Sequence, residues 1–514
     1  MIATKLLIKI LYFFLLASTF SCTDNPKVIE DILEEEDKKE EEGNEVEKPH
    51  THVAISPKID SQYGNSLLDF AFSADPTSVE HNGRLYVYAT NDNQQYETVG
   101  PTGGNNYAHI QSLLMMSTDD MVNWTYHGII PVKTISPWII SSWAPSIVKR
   151  VEEDNLTHFY LYYSDSGRGV GVLTSTSPVG PWTDPLGHDL VDGQTPGVGT
   201  CAIPFDPGVV IDDNGIGWLT FGGGDSESSF QPGNARIVKL AKDMISFDSE
   251  FVAIDAPYHF EANELNYIND TWVYTYNTNW AERSEWPFDA EKPTTCCMSY
   301  MTSKTPLIRE SWEYQHNYLK NPGDYGYDWG NNHTHLHKYH DKWYIFYHNQ
   351  SLQKSFNTTG GFRSVCVDEI EVDETNINIY MGNQTRKGAS QIKTLNPFVV
   401  QQAETVAATQ CVQFEQSGDA GNMLVKVAKD QGMLQVRGVH FDKDTNKLEV
   451  YASGKGTIEV RQDRSEGEII ATVEVNNKEL KQYEVKTTKT LNGTMDICFI
   501  LKGESLRFDK WLFK

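Results

Sequence analysis

One short phrase occurs five times between residues 82 and 348: a tight turn followed by a run rich in aromatic and β-branched residues. Such a run after a turn indicates the second half of a β-hairpin. The spacing between copies is longer than a solenoid repeat and suits one four-stranded sheet per copy, and sheets repeated radially form a propeller. The sequence therefore predicts an all-β fold built on a five-bladed β-propeller. The copies begin at Asn82, Leu156, Asn214, Asn269 and His340.

Three acidic residues precede these turns at nearly the same distance. They are Asp75 in Ala-Asp-Pro, Asp206 in Phe-Asp-Pro and Glu261 in Phe-Glu-Ala. The first strand of each propeller blade lines the central channel, so equivalent positions of different blades converge on the axis. Turn chemistry explains an Asp beside a Pro, but it does not select acids at matching offsets in three repeats. We therefore expect the three carboxylates to meet in one pocket.

Five segments stand out around these acids: Ser73-Ala-Asp-Pro-Thr-Ser-Val, Trp143-Ala-Pro-Ser, Ser175-Thr-Ser-Pro-Val-Gly-Pro-Trp, Phe205-Asp-Pro-Gly-Val-Val-Ile-Asp-Asp-Asn-Gly and Phe260-Glu-Ala. Together they resemble the blade motifs of glycoside hydrolase family 43, from about Asp69 to Asn376. The resemblance implies an inverting glycosidase in which Asp75 is the general base and Glu261 the general acid. It also implies that Asp206 raises the pKa of the acid and orients it. In an inverting site the two carboxyl groups lie about 6.5–9.5 Å apart, which leaves room for the attacking water.

Glu264 is the rival candidate for the general acid, because it follows Glu261 by three residues in the same predicted strand. Side chains alternate between the two faces of a strand, so Glu264 is expected on the face opposite to Glu261, which favours Glu261. Ser146 stands where many members of the family have an acid. The hydrogen bonding near the pocket is therefore expected to differ from that of the family.

Three further side chains are candidates for binding the substrate. By the resemblance, Arg363 reaches the sugar in the bound subsite, where its forked donors can grip two hydroxyls; a surface ion pair is the alternative. Trp143 is a candidate wall against one sugar face, with core packing as the alternative. Trp280 lies in a long loop that is expected over the pocket mouth and can shape specificity.

The resemblance also implies a calcium ion or another small cation, bound through water by His333 on the propeller axis. His335 and His337 follow at alternate positions and leave the register of this site open. Closely spaced histidines also occur in zinc sites, but no carboxylate or Cys accompanies these at ligand spacing, which argues against zinc.

The chain from about Val399 to Lys514 alternates polar and apolar residues over many short runs, which predicts a β-sandwich of the jelly-roll type. Gln401-Gln-Ala-Glu404 and the terminal Leu506-Arg-Phe-Asp-Lys-Trp-Leu-Phe resemble a family 6 carbohydrate-binding module. That resemblance implies a structural calcium near Glu404 and Asp509. The region that usually supplies the sugar-stacking aromatic reads Gln-Gly-Met-Leu, so both sugar binding and a packing role stay open for this domain.

The N-terminus has a charged start and a short apolar run up to Ala17, followed by Ser-Cys22, which predicts a lipoprotein signal peptide over residues 1–22. Cys22 is expected to be acylated at the bacterial cell envelope; plain secretion is the alternative. Residues 23–55 are charge-dense and predict a flexible tether. The propeller is expected over 56–390 and the sandwich over 398–514. The six remaining cysteines suggest no disulfide framework.

The formal net charge of −27 argues against a nucleic-acid partner, because phosphate binding needs clustered Lys and Arg. We interpret the chain as an exo-acting glycosidase that releases terminal L-arabinofuranose from arabinan, arabinoxylan or arabinogalactan side chains. The same residues serve β-xylosidases and exo-galactosidases. A non-catalytic glycan-binding lipoprotein is the alternative of another class. It predicts the loss of a catalytic carboxylate, whereas all three are present.

Overall fold

The computed structural model describes residues 54–55, 65–199, 201, 203–224 and 230–514. The predicted signal peptide, Cys22 and the charged segment up to residue 53 lie outside the described residues. A short strand, β1 (Ala54–Ile55), is the first described element. Within the described ranges, none of the helices has the length and apolarity needed to cross a membrane.

Five antiparallel sheets confirm the predicted five-bladed propeller, and the repeated phrase is the second strand of each blade. The first two blades carry two short helices in their loops, α1 (Asp92–Val99) and α2 (Val132–Ile135). Blade 1 contains β2 (Ala74–His81), β3 (Arg84–Thr90), β4 (Leu113–Thr118) and β5 (Trp124–Ile130), and blade 2 contains β6 (Trp143–Val151), β7 (Thr157–Asp165), β8 (Gly169–Ser175) and β9 (Val191–Asp192).

The remaining three blades continue in chain order, with two 3-10 turns at Arg309–Ser311 and Pro322–Tyr325. A small hairpin of β21 (Val372–Asp373) and β22 (Asn378–Ile379) follows the last blade. Blade 3 contains β10 (Gly208–Ile211), β11 (Gly217–Phe221), β12 (Ala235–Lys239) and β13 (Val252–Ile254); blade 4 contains β14 (His259–Ile268), β15 (Thr271–Thr278), β16 (Met298–Ser303) and β17 (Glu313–Leu319); blade 5 contains β18 (Thr334–Tyr339), β19 (Lys342–Asn349) and β20 (Ser364–Ile370).

The innermost strands share a backbone irregularity at the level of the candidate acids. In β2 and β6 one extra residue interrupts the pairing with the next strand, and in β14 this happens twice, on either side of Glu261; each interruption is a β-bulge. The bulge residues have positive φ: 50° at Asp75, 40° at Ala144 and 60° at Ala262, and Asp206 just before β10 has φ 50°. Such conformations cost about 1–3 kcal/mol for residues other than Gly and concentrate at functional sites.

The ring of blades is closed by the segment that precedes blade 1. Ser66 forms a β-bridge with Cys366, and the Leu67 N–H donates to the Val365 carbonyl at 2.9 Å. The first described stretch of the propeller therefore hydrogen-bonds to β20 of the last blade, which joins the two ends of the ring.

The C-terminal domain is one eight-stranded sheet that curls back on itself, consistent with the predicted sandwich. The curl arises because two long bent strands pair twice: Thr457 lies opposite both Lys502 and Glu474. The short strand β1 joins this sheet beside Phe414. Its strands are β23 (Gln401–Gln402), β25 (Ala408–Gln410), β26 (Val412–Gln416), β27 (Met423–Val427), β28 (Gln431–Gln462), β29 (Ile469–Lys502) and β30 (Arg507–Phe513), and β24 (Thr405–Val406) lies between β23 and β25 in the chain.

Blade 1 and the C-terminal domain are continuous in both hydrogen bonding and packing. Strand β24 pairs with β5 and adds a fifth strand to blade 1. The rings of Phe70 and Phe414 lie 4.3 Å apart, and Tyr126 meets both edge-on. Asp69 also accepts hydrogen bonds from the Thr409 backbone N–H and hydroxyl. The two domains therefore share one apolar core.

Candidate active site

Asp75 lies at the bulge of β2 and is 4% exposed. Its Oδ2 accepts from the Thr90 hydroxyl at 2.7 Å, and its Oδ1 accepts from Nη1 of Arg363 at 3.0 Å. Burial alone would raise the pKa of this carboxyl, but the Arg363 charge and its neighbours hold the pKa well below its usual range. Asp75 is therefore a carboxylate throughout the physiological pH range, the state that a general base needs.

Asp206 connects blade 3 to both neighbouring blades. Its Oδ2 accepts from the backbone N–H of Ala262 at 2.8 Å, and its Oδ1 accepts from the Ser164 hydroxyl at 3.3 Å. Burial, and then the negative charge of Asp75, raise the pKa of Asp206 to about 7. Because Asp206 holds the residue that follows Glu261, it fixes the backbone from which the candidate acid extends.

Glu261 is the third residue of β14 and is partly exposed. Burial first, then the charges of Asp206 and Asp75, raise its pKa well above the usual range of a glutamate, and a hydrogen bond from the Asn331 side chain opposes the rise. The structure therefore brings together the three acids that the sequence singled out. Each sits on the innermost part of a different blade, and their charges act on one another.

The three acids do not occupy one common position, although their spacing from the turns suggested it. Asp75 and Asp206 themselves have positive φ, whereas in blade 4 the residue with positive φ is Ala262. Glu261 stands one residue earlier and pairs with Asn277 of β15. The acid thus extends from a different backbone position, on a side chain that is one methylene longer than that of the two aspartates.

The expectation that Glu264 faces away from the axis is wrong. The bulge at Ala262 shifts the alternation by one residue, so Glu264 faces the axis as well, one layer deeper than Glu261. Its Oε1 lies 2.5 Å from Nδ1 of His335, its Oε2 accepts from the Ser146 hydroxyl at 3.4 Å, and it is 2% exposed. Burial raises its pKa well above the usual range. A neutral, enclosed Glu264 cannot reach a substrate, so Glu261 stays the candidate acid.

Arg363 is enclosed by carboxylates instead of facing an open subsite. It is 3% exposed, and its Nε and Nη2 donate to Asp92 at 2.9 and 2.8 Å while Nη1 donates to Asp75. Its backbone N–H also donates to Asp92 at 3.1 Å. The forked guanidinium therefore spans the two acids. This is a buried ion pair and not the surface pair named as the alternative, and a contact of Arg363 with sugar hydroxyls stays a prediction.

Sequence reasoning missed Asp92, which is fully buried at the start of α1. It lies two residues after the repeated phrase of blade 1, and an acid just beyond that strand was the available signal. Asn105 donates to its Oδ2 at 2.7 Å, so Asp92 also anchors the loop after α1. Asp92 touches Arg363 from the side away from Asp75 and orients it.

We expect Asp92→Asn to lower kcat by about 10- to 10²-fold with a much smaller change in KM, because a misplacement of about 1 Å at the reacting groups has effects of this size. Asp92 is enclosed and cannot touch substrate. If it acts only through Arg363, then Asp92→Asn adds little to Arg363→Lys in a double-mutant cycle. Independent, additive losses in kcat would contradict this positioning role.

Tyr107 is a second residue that sequence reasoning missed. It has φ 65°, which is rare for an aromatic residue, and its ring lies 4.8 Å from the Arg363 guanidinium. Its carbonyl accepts from the indole N–H of Trp143 at 3.2 Å. Burial raises the pKa of Tyr107 to about 12, and the charges of Asp92, Glu261 and Asp75 add to the rise. Trp143 and Tyr107 therefore form one aromatic wall beside the acids.

His333 and His335 lie at different depths along the propeller axis. His333 lies against the general base, with Nδ1 3.5 Å from Oδ1 of Asp75, and burial lowers its pKa to about 4. It is His335 that stands in the deeper axial layer with Glu264. Cation binding fits His333 poorly, because Arg363 and Thr90 already bond the carboxylate beside it. Over the described ranges, no group of three or more His, Cys, Asp or Glu could hold a metal ion.

The acids of the C-terminal domain offer a better fit to a cation. Glu404 is fully buried; its Oε1 accepts from the Met423 N–H at 3.0 Å, while its Oε2 lacks a hydrogen-bond partner among the described residues. Burial raises the pKa of Glu404 to about 8, and the nearby charge of Asp509 adds to the rise. Asp509 is 3% exposed and accepts from Asn422 at 3.2 Å. A buried carboxylate oxygen without a partner is a group that a hard cation would satisfy.

Comparisons with known proteins agree with this geometry. Residues 63–377 match Glycosyl hydrolases family 43, and residues 402–514 match Carbohydrate binding module (family 6). The arabinoxylan arabinofuranohydrolase of Bacillus subtilis (strain 168) is 34% identical over 497 residues, 90% of this chain and 95% of that protein. That of Paenibacillus polymyxa is 32% identical over 479 residues, 87% of this chain and 74% of that protein. A crystal structure of a glycoside hydrolase family 43 arabinoxylan arabinofuranohydrolase from Bacillus subtilis, in complex with cellotetraose, has a TM-score of 0.82 at 31% identity, covering 89% of this chain and 99% of that one. The chain therefore belongs to glycosyl hydrolases family 43.

Proposed function

We propose that this glycoside hydrolase releases terminal L-arabinofuranose from the side chains of arabinoxylan, with inversion of the anomeric configuration. The observation that carries the proposal is the different surroundings of two acids in one site: Arg363 donates to Asp75 at 3.0 Å, whereas Glu261 lies near two other carboxylates. The Arg363 charge and its neighbours hold the pKa of Asp75 well below its usual range, while burial and the charges of Asp206 and Asp75 raise the pKa of Glu261 well above it. Pairs of carboxyl groups whose environments separate their pKa values divide into base and acid. The arabinoxylan substrate is supported by the two relatives that match along most of this chain.

In the proposed reaction, Asp75 takes a proton from a water molecule, whose oxygen then forms a bond to the anomeric carbon. The bond from that carbon to the glycosidic oxygen breaks on the opposite side, and Glu261 gives its proton to the departing oxygen. One water is consumed, and the sugar leaves with inverted configuration. Asp206 holds the Ala262 N–H and, through its charge, keeps the proton on Glu261 until the leaving group needs it.

Hydrolysis of 4-nitrophenyl glycosides of α-L-arabinofuranose, β-D-xylose and β-D-galactose tests the sugar directly when all three are assayed side by side. We expect the highest kcat/KM for the arabinofuranoside, and we expect the first product seen by proton NMR to be the β-anomer. A preference for xylose or galactose would redirect the proposal to a β-xylosidase or an exo-galactosidase. If the protein hydrolyses neither these three glycosides nor arabinoxylan, the result favours a non-catalytic glycan-binding protein.

We also propose that the mature protein is held at the bacterial cell envelope by a lipid on Cys22. The support is the sequence alone: a charged start, a short apolar run and a Cys after small residues. Metabolic labelling with a radioactive fatty acid tests the proposal, with Cys22→Ala as the control. Label that survives Cys22→Ala would contradict it.

Calcium is proposed to bind at Glu404 and Asp509 and to stabilise the C-terminal domain. A ligand that binds the folded state at 100 times its Kd adds about 2.7 kcal/mol of stability, so we expect calcium to raise Tm and EDTA to lower it.

With a pKa of about 8, Glu404 is mostly protonated at pH 7 in the absence of metal. Calcium must then displace that proton, so its affinity should rise between pH 6 and pH 8. Glu404→Gln should abolish the calcium-dependent shift in Tm; a shift that persists would move the ion elsewhere.

A further inference from the structure

Trp329 exposes one large aromatic face beside the active site. The residue is 58% exposed. Its other face lies flat on the backbone of the second 3-10 turn, because a Cβ atom added at Gly323 would come within 2.3–2.6 Å of three atoms of the indole ring. Only a glycine therefore lets the ring lie in this position, and one side of the ring is left facing solvent.

The loop that carries Trp329 is fixed in place. The side chain of Gln353 donates to the Asp328 carboxylate at 2.7 Å, and its oxygen accepts from the N–H groups of Gly361 and Phe362 at 2.6 and 3.0 Å. These two residues directly precede Arg363. The same amide side chain thus connects the residue before Trp329 to the segment that carries Arg363, which bonds the general base.

Trp329 also lies on the side of the general acid. Asn331 follows it by two residues, which span at most about 7 Å. The side chain of Asn331 hydrogen-bonds Glu261, and its carbonyl accepts from Nε2 of His348, whose Nδ1 lies 3.2 Å from Oδ1 of Asp75. The general acid protonates the leaving oxygen, so the leaving part of the substrate must lie on this side. In arabinoxylan the leaving part is the xylan backbone.

A second tryptophan, Trp280, lies next to Trp329. The ring of Trp280 lies 6.4 Å from that of Trp329, at an angle of 60°. Trp280 follows β15, whose residue Asn277 pairs with Glu261. The two tryptophans therefore reach the mouth of the site from two different loops, both next to the acid.

We propose that the exposed face of Trp329 stacks against a pyranose ring of the xylan backbone, next to the xylose that carries the departing arabinofuranose. A pyranose ring presents its axial C–H groups as an apolar face, and such a face gains free energy by leaving water against an aromatic ring. The inference rests on the proposed function. In this inference, Trp329 makes the enzyme prefer arabinoxylan to small arabinofuranosides that lack a xylan backbone.

The test compares the ratio of kcat/KM for water-soluble arabinoxylan to that for 4-nitrophenyl α-L-arabinofuranoside, which has no backbone. Burial of about 50 Å² of apolar surface corresponds to roughly a 10-fold change in binding, so we expect Trp329→Ala to lower this ratio by about 10-fold, mainly through KM for the polymer. Trp329→Phe should keep most of the ratio. Tyr380→Ala removes an aromatic ring that is 43% exposed, outside the blade sheet just after β22, and should leave the ratio unchanged.

Gly323→Ala is an independent variant, because the added methyl displaces the indole without removing it. We expect it to lower the ratio in the same direction as Trp329→Ala, with Tm close to that of the wild type. An unchanged ratio in both variants would overturn the inference, and so would an equal loss on both substrates, which would mean that Trp329 merely supports the pocket. If the wild-type enzyme cleaves neither substrate, the proposed function itself fails and the inference falls with it.

Discussion

Replacing Glu261 with glutamine is expected to lower kcat/KM on arabinoxylan by about 10²- to 10⁴-fold, the usual contribution of a general acid. Glutamine keeps the size and the hydrogen-bonding atoms of a protonated glutamate but has no proton to give. The loss should shrink as the leaving group improves, because a 2,4-dinitrophenolate departs without protonation. Comparing arabinoxylan with a 2,4-dinitrophenyl arabinofuranoside therefore isolates the acid role. Equal losses on both substrates would contradict it.

The pH dependence of the same variant provides a second measurement. Activity requires a protonated Glu261, whose pKa is raised, so kcat/KM of the wild type should fall as pH rises through that pKa. Asp206 titrates near pH 7 and interacts with Glu261, so the fall belongs to the pair. Glu261→Gln should remove this alkaline limb. Glu264→Gln is the matched control on the same strand: it replaces a neutral, enclosed acid and should keep both the limb and most of the activity.

Asp75→Asn is expected to lower kcat by about 10²- to 10⁴-fold on every substrate, whatever the leaving group, because the water then lacks a base. Azide needs no deprotonation. It can form the carbon–nitrogen bond while Glu261 still protonates the departing oxygen, so azide should restore much of the rate and yield the β-arabinofuranosyl azide. Rescue of Glu261→Gln instead of Asp75→Asn, measured on the same arabinoxylan oligosaccharide, would mean that the two roles are reversed.

The fold of Asp75→Asn should survive, which makes the kinetic result interpretable. Asparagine can still accept from the Thr90 hydroxyl, and Arg363 keeps its three hydrogen bonds to Asp92. Thermal unfolding should therefore stay cooperative. A variant that loses both activity and cooperative unfolding would mean that the Asp75–Arg363 pair is needed to hold blades 1 and 5 together.

The sequence predicts the propeller well because each blade contains a local signal. A turn followed by an aromatic, β-branched strand specifies a hairpin from neighbouring residues alone, and five copies specify the ring. The positions of the acids were harder to predict, because a bulge depends on backbone torsions. Ala144 and Ala262 adopt positive φ without any residue type that signals it, so the shifted position of Glu261 and the inward turn of Glu264 could not be predicted from the spacing.

Arg363 and Asp92 show a second limit. An arginine in a family motif indicates that the guanidinium matters, but its partner is a residue 271 positions away in the chain that belongs to no motif. Long-range pairs of this kind follow from the closure of the ring, which places blade 5 against blade 1. The join between β24 and β5 could not be predicted either, since nothing in either short segment marks them as partners.

The pairing of β24 with β5 makes the propeller depend on the C-terminal domain. Without β24, strand β5 would present an unpaired edge, and the rings of Phe70 and Tyr126 would lose the Phe414 cover that keeps them from water. Exchanging this domain for an unrelated one would therefore leave the edge of β5 unpaired and the rings of Phe70 and Tyr126 without the cover of Phe414. A replacement domain would have to supply an equivalent strand and an equivalent apolar cover.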